Sequence, residues 1–128
     1  MPKRILVAED EPNIAKSLSF LLTRAGFQVQ IEADGARVVD LVRSTSPDAL
    51  LLDLMLPGAH GYDILRDLRA DPATANLPVM ILTAKGQQAD RQMAIEAGAT
   101  EYVTKPFSNA ELVAKVKTVL DNIHEEAG

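Results

Sequence analysis

The sequence predicts an α/β fold in a single domain, a doubly wound parallel sheet of five strands with helices on both faces. Three observations carry that reading. Short apolar runs of strand length alternate five times with stretches of helical periodicity. The run Ala49-Leu50-Leu51-Leu52-Asp53 is apolar on both faces, as a central parallel strand is when helices cover both sides of its sheet. With 128 residues, 47% of them hydrophobic, the chain is one domain with enough apolar surface for a core. Strand–helix alternation with right-handed crossovers then gives the layered sheet.

Arg4-Ile5-Leu6-Val7-Ala8 is the first strand, followed by Glu9-Asp10-Glu11-Pro12. Pro12 suits the first turn of a helix, where its missing N–H is no loss. That helix places Ile14, Leu18, Leu21 and Ala25 on one face and stops at Gly26. Phe27 to Ile31 reads as the second strand. Asp34-Gly35 is a turn, and Val38, Leu41 and Val42 mark a second amphipathic helix ended by Ser44-Thr45-Ser46-Pro47. Ala49 to Asp53 is the third strand, closed by the turn signal Pro57-Gly58. A helix through Ile64, Leu65 and Leu68 breaks at Asp71-Pro72. Val79 to Leu82 is the fourth strand, ending at Thr83-Ala84. Ala89 to Ala97 is a short helix whose apolar face is mostly Met93 and alanines, so it has little area with which to dock. Tyr102-Val103 is a short fifth strand before Lys105-Pro106. Ser108-Asn109-Ala110-Glu111 has the capping-box pattern for a last helix carrying Leu112, Val116, Val119 and Ile123. Residues 1–123 are expected to form the domain, and 124–128 a tail or the start of a linker.

Composition excludes several functions. There is no cysteine, hence no disulfide, thiolate chemistry or Cys-based zinc site. A net charge of −5 without a Lys/Arg cluster argues against direct binding of nucleic acid. No apolar stretch approaches the roughly 20 residues of a membrane span, and Met-Pro-Lys-Arg leads straight into a strand. The expectation is a cytoplasmic protein without membrane contact. His60 and His124 lack metal-ligand spacing and read as surface residues.

In open parallel sheets, ligands bind beyond the carboxyl ends of the strands at the topological switch point. The residues there are Glu9 and Asp10 after the first strand, Asp53, Thr83 and Lys105. Asp53 alone has a bland reading, a strand-end carboxylate satisfied by backbone donors. The company it keeps argues for more. Two unit charges ~4 Å apart repel by about 4 kcal/mol at an effective dielectric near 20, so three carboxylates together need shifted pKa values or a cation. Oxygen ligands without His or Cys favour a hard ion, and Mg²⁺ typically takes one or two carboxylates and keeps waters. Lys105 adds an ammonium and Thr83 a hydroxyl donor. Together these groups make a site for a phosphoryl group attached to, or transferred onto, Asp53. A static ion-pair network of Lys105 with the acids is the alternative, and it has no need of Thr83.

Four segments resemble the receiver domain of two-component response regulators: Glu9-Asp10 after the first strand, Leu52-Asp53-Leu54-Met55-Leu56-Pro57-Gly58, Leu82-Thr83-Ala84, and Gly98-Ala99-Thr100-Glu101-Tyr102-Val103-Thr104-Lys105-Pro106-Phe107. Each is weak alone, but all four in order at these spacings are specific, and the resemblance covers nearly the whole chain. It implies a flavodoxin-like (βα)5 sheet with strand order 2-1-3-4-5. It implies that Asp53 accepts a phosphoryl group from a phosphohistidine on a sensor histidine kinase or phosphotransfer protein. The cofactor would be Mg²⁺, held by Asp10 and Asp53, by the backbone carbonyl of Met55, and by Glu9 through water. Thr83 would hydrogen-bond the phosphoryl group and Lys105 ion-pair with it, with a cis Lys105-Pro106 bond. Ala84 is small and leaves access to Asp53.

Tyr102 has two readings. It is an amphipathic ring half-buried on the last strand, or, as the resemblance implies, a switch whose ring turns inward when Thr83 moves toward the phosphoryl group. Output would then run through the face of the fourth helix, fifth strand and last helix, to an output domain, a downstream protein or a second copy in a phosphorylation-dependent homodimer. Arg91, Glu101, Glu111 and Lys115 on that face resemble the charged positions through which the winged-helix, DNA-binding subfamily dimerises. Thr100 stands where that subfamily usually has an acid, and Lys115 where it often has Arg; lysine is a point charge without the bidentate fork. Glu111 serves equally well as part of its capping box.

Two other functions compete with a phosphoacceptor switch. An aspartyl-phosphate-forming phosphohydrolase would carry a second acid two residues after its nucleophile, where this chain has Met55. A phosphorylation-independent interaction domain would not need the complete set of Glu9, Asp10, Asp53, Thr83 and Lys105. A switch uses that set to bias an equilibrium between two packings and is not an enzyme for other substrates.

Overall fold

The computed structural model describes residues 2–84 and 88–127, and of residues 88–91 and 122–127 the backbone alone. Five parallel strands, β1 (Arg4–Ala8), β2 (Gln28–Glu32), β3 (Ala49–Asp53), β4 (Val79–Thr83) and β5 (Glu101–Thr104), lie in the order β2-β1-β3-β4-β5. The helices are α1 (Pro12–Arg24), α2 (Val38–Thr45), α3 (Gly61–Ala70), α4 (Gln88–Glu96) and α5 (Asn109–Ala127), with a 3-10 turn, Gly35–Arg37, leading into α2. Fold class and strand order are those the sequence predicts.

Strand alternation sorts the core into two layers. Ile5, Val7, Leu51, Met80, Leu82 and Val103 pack under α1 and α5 against Leu18, Leu22, Leu112 and Val116. Their neighbours Leu6, Leu50, Leu52, Val79, Ile81 and Tyr102 face the other way, against Val38, Val42, Leu65, Leu68 and Ala94. Every residue of β3 and β4 is buried, which is why these strands read as unbroken apolar runs. Burying each large aliphatic side chain contributes about 1.5–3 kcal/mol, so the central strands anchor the sheet. The winding reverses between β1 and β3, and that reversal opens the crevice at their carboxyl ends.

The structure corrects four details. The buried stripe of α1 is Ala15, Leu18 and Leu22, with Ile14 and Leu21 only partly covered, so the helix is turned about one residue from the predicted face. The second strand begins at Gln28 because Phe27 belongs to the cap of α1. Its N–H donates to Leu22 O at 3.0 Å while Gly26 N–H donates to Thr23 O at 3.0 Å, and Gly26 takes φ +100°. Among the described side chains of α4 the core contact is Ala94; Met93, expected on the apolar face, is half exposed. Strand β5 is longer than Tyr102-Val103, because it pairs with β4 from Met80↔Glu101 to Thr83↔Thr104. Ser108 Oγ accepts from Glu111 N–H at 3.0 Å, as the capping pattern requires. The backbone of α5 continues through 124–127; the side chains of Arg91, Ile123 and His124 lie outside the described residues. Among the described residues, no helix is long and apolar enough to cross a membrane.

Candidate functional site

Glu9, Asp10, Asp53 and Lys105 come together at the crevice, and Thr83 ends the neighbouring strand β4. Glu9 and Asp10 follow β1, and Glu9 N–H still donates to Glu32 O at 3.1 Å, prolonging the pairing with β2 by one residue. This turns the Glu9 side chain inward, where the residue is 1% exposed, and leaves Asp10 in solvent. Asp53 closes β3 and is 6% exposed; Thr83 closes β4 and is buried. Lys105 follows β5, tied by its N–H to Thr83 O at 2.7 Å, and the Lys105-Pro106 peptide is cis as predicted.

The charges are arranged around one ammonium. Lys105 Nζ donates to Glu9 Oε1 at 2.5 Å and to Asp53 Oδ2 at 2.7 Å. The remaining oxygens take backbone donors: Asp53 Oδ1 accepts from Met55 N–H at 2.8 Å, and Glu9 Oε2 from Glu11 N–H at 3.1 Å. The bland reading of Asp53, backbone donors alone, therefore describes one of its two oxygens. Among the described residues, no buried side-chain N or O lacks a partner.

Burial raises the pKa of Asp53, but the Lys105 ammonium, the Met55 N–H and Glu9 outweigh it and hold the carboxyl below the usual range. For Glu9 burial wins over the bonds from Lys105 and Glu11, and the pKa is pushed up. Lys105 is disfavoured by burial, yet its two carboxylate partners raise its pKa above that of a free lysine. As the pH falls, Glu9 is therefore the carboxyl group that takes up a proton first, and Asp53 keeps its charge longer.

One ligand oxygen from each of Glu9, Asp10 and Asp53 lies within 4.8 Å of the others. Three carboxylates and one ammonium, all ionised, leave two negative charges, the balance of one divalent cation. The all-oxygen donor set suits a hard ion such as Mg²⁺.

The face of α4, β5 and α5 is closer-knit than the sequence suggests. Tyr102 is buried at 7% exposure, not half-buried, and packs in the layer that contains Ala94. Lys115 Nζ lies 3.6 Å from Glu111 Oε1 and 4.0 Å from Glu101 Oε1, so these charges are engaged within the chain. Thr100 clasps the start of β4: its Oγ1 accepts from Val79 N–H at 3.1 Å and its N–H donates to Val79 O at 2.8 Å. His60, exposed as predicted, caps α3 by accepting from Tyr62 N–H at 3.2 Å. Sequence reasoning missed one contact beside the site. Asp34-Gly35, read as a plain turn, docks on the β3–α3 loop, with Gly35 N–H donating to Pro57 O at 2.7 Å.

The family model of the response regulator receiver domain matches residues 5–117. The DNA-binding response regulator MtrA of Mycolicibacterium smegmatis is 43% identical over 126 residues, 98% of this chain and 54% of that protein. The phosphate regulon transcriptional regulatory protein PhoB of Escherichia coli is 42% identical over 123 residues, 96% of this chain and 54% of that protein. The chain therefore spans about half the length of these relatives. Among solved structures, the receiver domain of the sensor histidine kinase PA1611 from Pseudomonas aeruginosa, which has a magnesium ion coordinated in its active-site cleft, superposes with a TM-score of 0.87. It is 32% identical, covering 94% of this chain and 99% of that one.

Proposed function

The chain belongs to the response regulator receiver domain family, and on that premise we propose that Asp53 takes a phosphoryl group from a phosphohistidine on a sensor histidine kinase or phosphotransfer protein. The observation that carries this reading is the double clamp on Asp53, with Oδ2 on Lys105 and Oδ1 on Met55 N–H, beside two further acids. An Asp53 oxygen attacks phosphorus, the O–P bond forms as the P–N bond breaks, and the imidazole nitrogen keeps the electron pair and takes a proton from water. Lys105 then pairs with the transferred oxygens, and the Thr83 hydroxyl donates to them. Asp10 and Asp53 by carboxylate, Met55 by its carbonyl and Glu9 through water would hold Mg²⁺. Bound there, the ion supplies neutralising charge for the phosphoryl oxygens. The all-oxygen donor set and the magnesium in the PA1611 cleft support that assignment.

The phosphorylated state biases an equilibrium that Thr83 and Tyr102 pass to the α4-β5-α5 face, which an output domain, a downstream protein or a second copy would read. The domain, residues 1–123, is a cytoplasmic switch that catalyses its own phosphorylation and dephosphorylation and acts on no other substrate.

Acetyl phosphate with Mg²⁺ should add one phosphoryl group to the wild type by intact mass and none to Asp53→Asn. A phosphoryl group on Asp53→Asn overturns the assignment.

A further inference from the structure

We propose that Gly35 is a positioning residue for the metal site: its N–H and its missing side chain hold the loop that carries the Met55 carbonyl. This rests on the assignment of Met55 as a backbone ligand. A carbonyl ligand has to be placed by whatever holds its backbone, and the Met55 side chain, 66% exposed, offers no anchor.

The inner end of the loop is tied to the sheet. Leu54 N–H donates to Leu82 O at 3.2 Å, Gly61 N–H to Leu54 O at 3.2 Å, and Met55 N–H to Asp53 Oδ1 at 2.8 Å. Among the described residues, the backbone bond from the loop tip to another part of the fold is Gly35 N–H to Pro57 O, at 2.7 Å.

The two turns interlock without room for a side chain between them. A Cβ on Gly35 would lie 2.8 Å from Ala59 O and 3.0 Å from both Ala59 N and Pro57 O. All three are backbone atoms and cannot swing aside, so the loop itself would have to move. From the other side, Gly58 has φ +91°, and its Cβ would meet Asp34 Oδ1 at 2.2 Å. That oxygen is already committed, accepting from Ala36 N–H at 2.9 Å to hold the 3-10 turn. Gly35 thus sits in a turn braced by its own aspartate and presses on the loop from outside.

Supporting groups of this kind typically cost 10–100-fold in metal affinity when disturbed. The test is a Mg²⁺ titration of the metal-free chain followed by NMR, on wild type, Gly35→Ala, Asp34→Ala, Asp10→Asn and Val119→Ala. Gly35→Ala should weaken Mg²⁺ about tenfold. In acetyl phosphate reactions its half-saturating Mg²⁺ concentration should rise in step, with the rate at saturating Mg²⁺ unchanged. Val119→Ala shortens a core side chain away from the loop and should lower the melting temperature with Mg²⁺ affinity intact. Asp34→Ala loosens the turn and keeps the glycine; it should show a smaller loss in the same direction, and it decides the matter if Gly35→Ala does not fold. Wild-type affinity in both turn variants, or an equal loss in Val119→Ala, overturns the role of Gly35. Unaltered Mg²⁺ binding in Asp10→Asn would instead overturn the metal assignment, a separate outcome.

Discussion

Lys105 Nζ stands 2.7 Å from Asp53 Oδ2, a contact between residues 52 positions apart in the chain. The same ammonium reaches Glu9, so one cation serves two buried carboxylates from different strand ends. An ion pair this enclosed contributes little net stability, because desolvation offsets the attraction, yet removing one partner strands the other.

Lys105→Ala should therefore cost about 2 kcal/mol at neutral pH in metal-free buffer, by denaturant unfolding. Mg²⁺ should still bind, since its proposed ligands remain, and should restore part of the loss. Phosphorylation should no longer shift the Tyr102 resonances. Equal shifts in the variant and the wild type would refute the coupling role of Lys105.

The two carboxylates respond to pH in opposite senses. Asp53 has its pKa lowered from 3.8, so its contribution to stability is present above that value and is lost as pH falls through the folded pKa. Glu9 has its pKa raised from 4.5; its favourable contribution is full below that value and is lost as pH rises through the folded pKa. At neutral pH an ionised Glu9 is thus a burden on the metal-free fold. Glu9→Gln should raise the melting temperature in chelator at pH 7 by a few degrees, on the order of 1 kcal/mol. The gain should vanish below about pH 4, and Mg²⁺ should stabilise the variant less than the wild type. Calorimetry at two pH values with and without Mg²⁺ checks it, and a lower melting temperature at pH 7 would show that the bond to Lys105 outweighs burial.

Arg69 ties α3 to the end of α4. Its Nε donates to Gly98 O at 2.9 Å and its Nη1 to Ala75 O at 3.2 Å, while burial pushes its pKa down. Gly98 terminates α4 at φ +103°, with Ala99 N–H donating to Ala94 O at 2.9 Å. Arg69→Met keeps much of the packing and removes both donors. It should destabilise the chain by about 2 kcal/mol and speed amide exchange at Ala97, Gly98 and Ala99. Exchange protection equal to wild type there would mean that Arg69 does not brace α4.

The resemblance and the residues together named the polar groups that the structure gathers at the crevice, because each sits where an apolar run stops. Glu9, Asp53, Thr83 and Lys105 were legible as the ends of β1, β3, β4 and β5. Other contacts were not legible, because they join segments with no shared periodicity. Nothing in Asp34-Gly35 says that it meets Pro57-Gly58, and nothing in Arg69 points to Gly98. Thr100, noted for the acid it replaces, turns out to clasp Val79. Met93 misled for a related reason: hydrophobicity marks what a helix could bury, and the sheet offered α4 room for Ala94.

What the sequence by itself determined was the fold class, the strand order through its family pattern, and which polar groups stand at the strand ends, since apolar run length and strand-end position are local properties. The tertiary structure alone decided how charge is shared. One lysine bridges Glu9 and Asp53, their pKa values part in opposite directions, and a glycine in a distant turn donates its N–H to the loop after β3. These depend on distances of a few ångströms between segments far apart in sequence, and Coulomb energy, desolvation and backbone packing all vary steeply over that range.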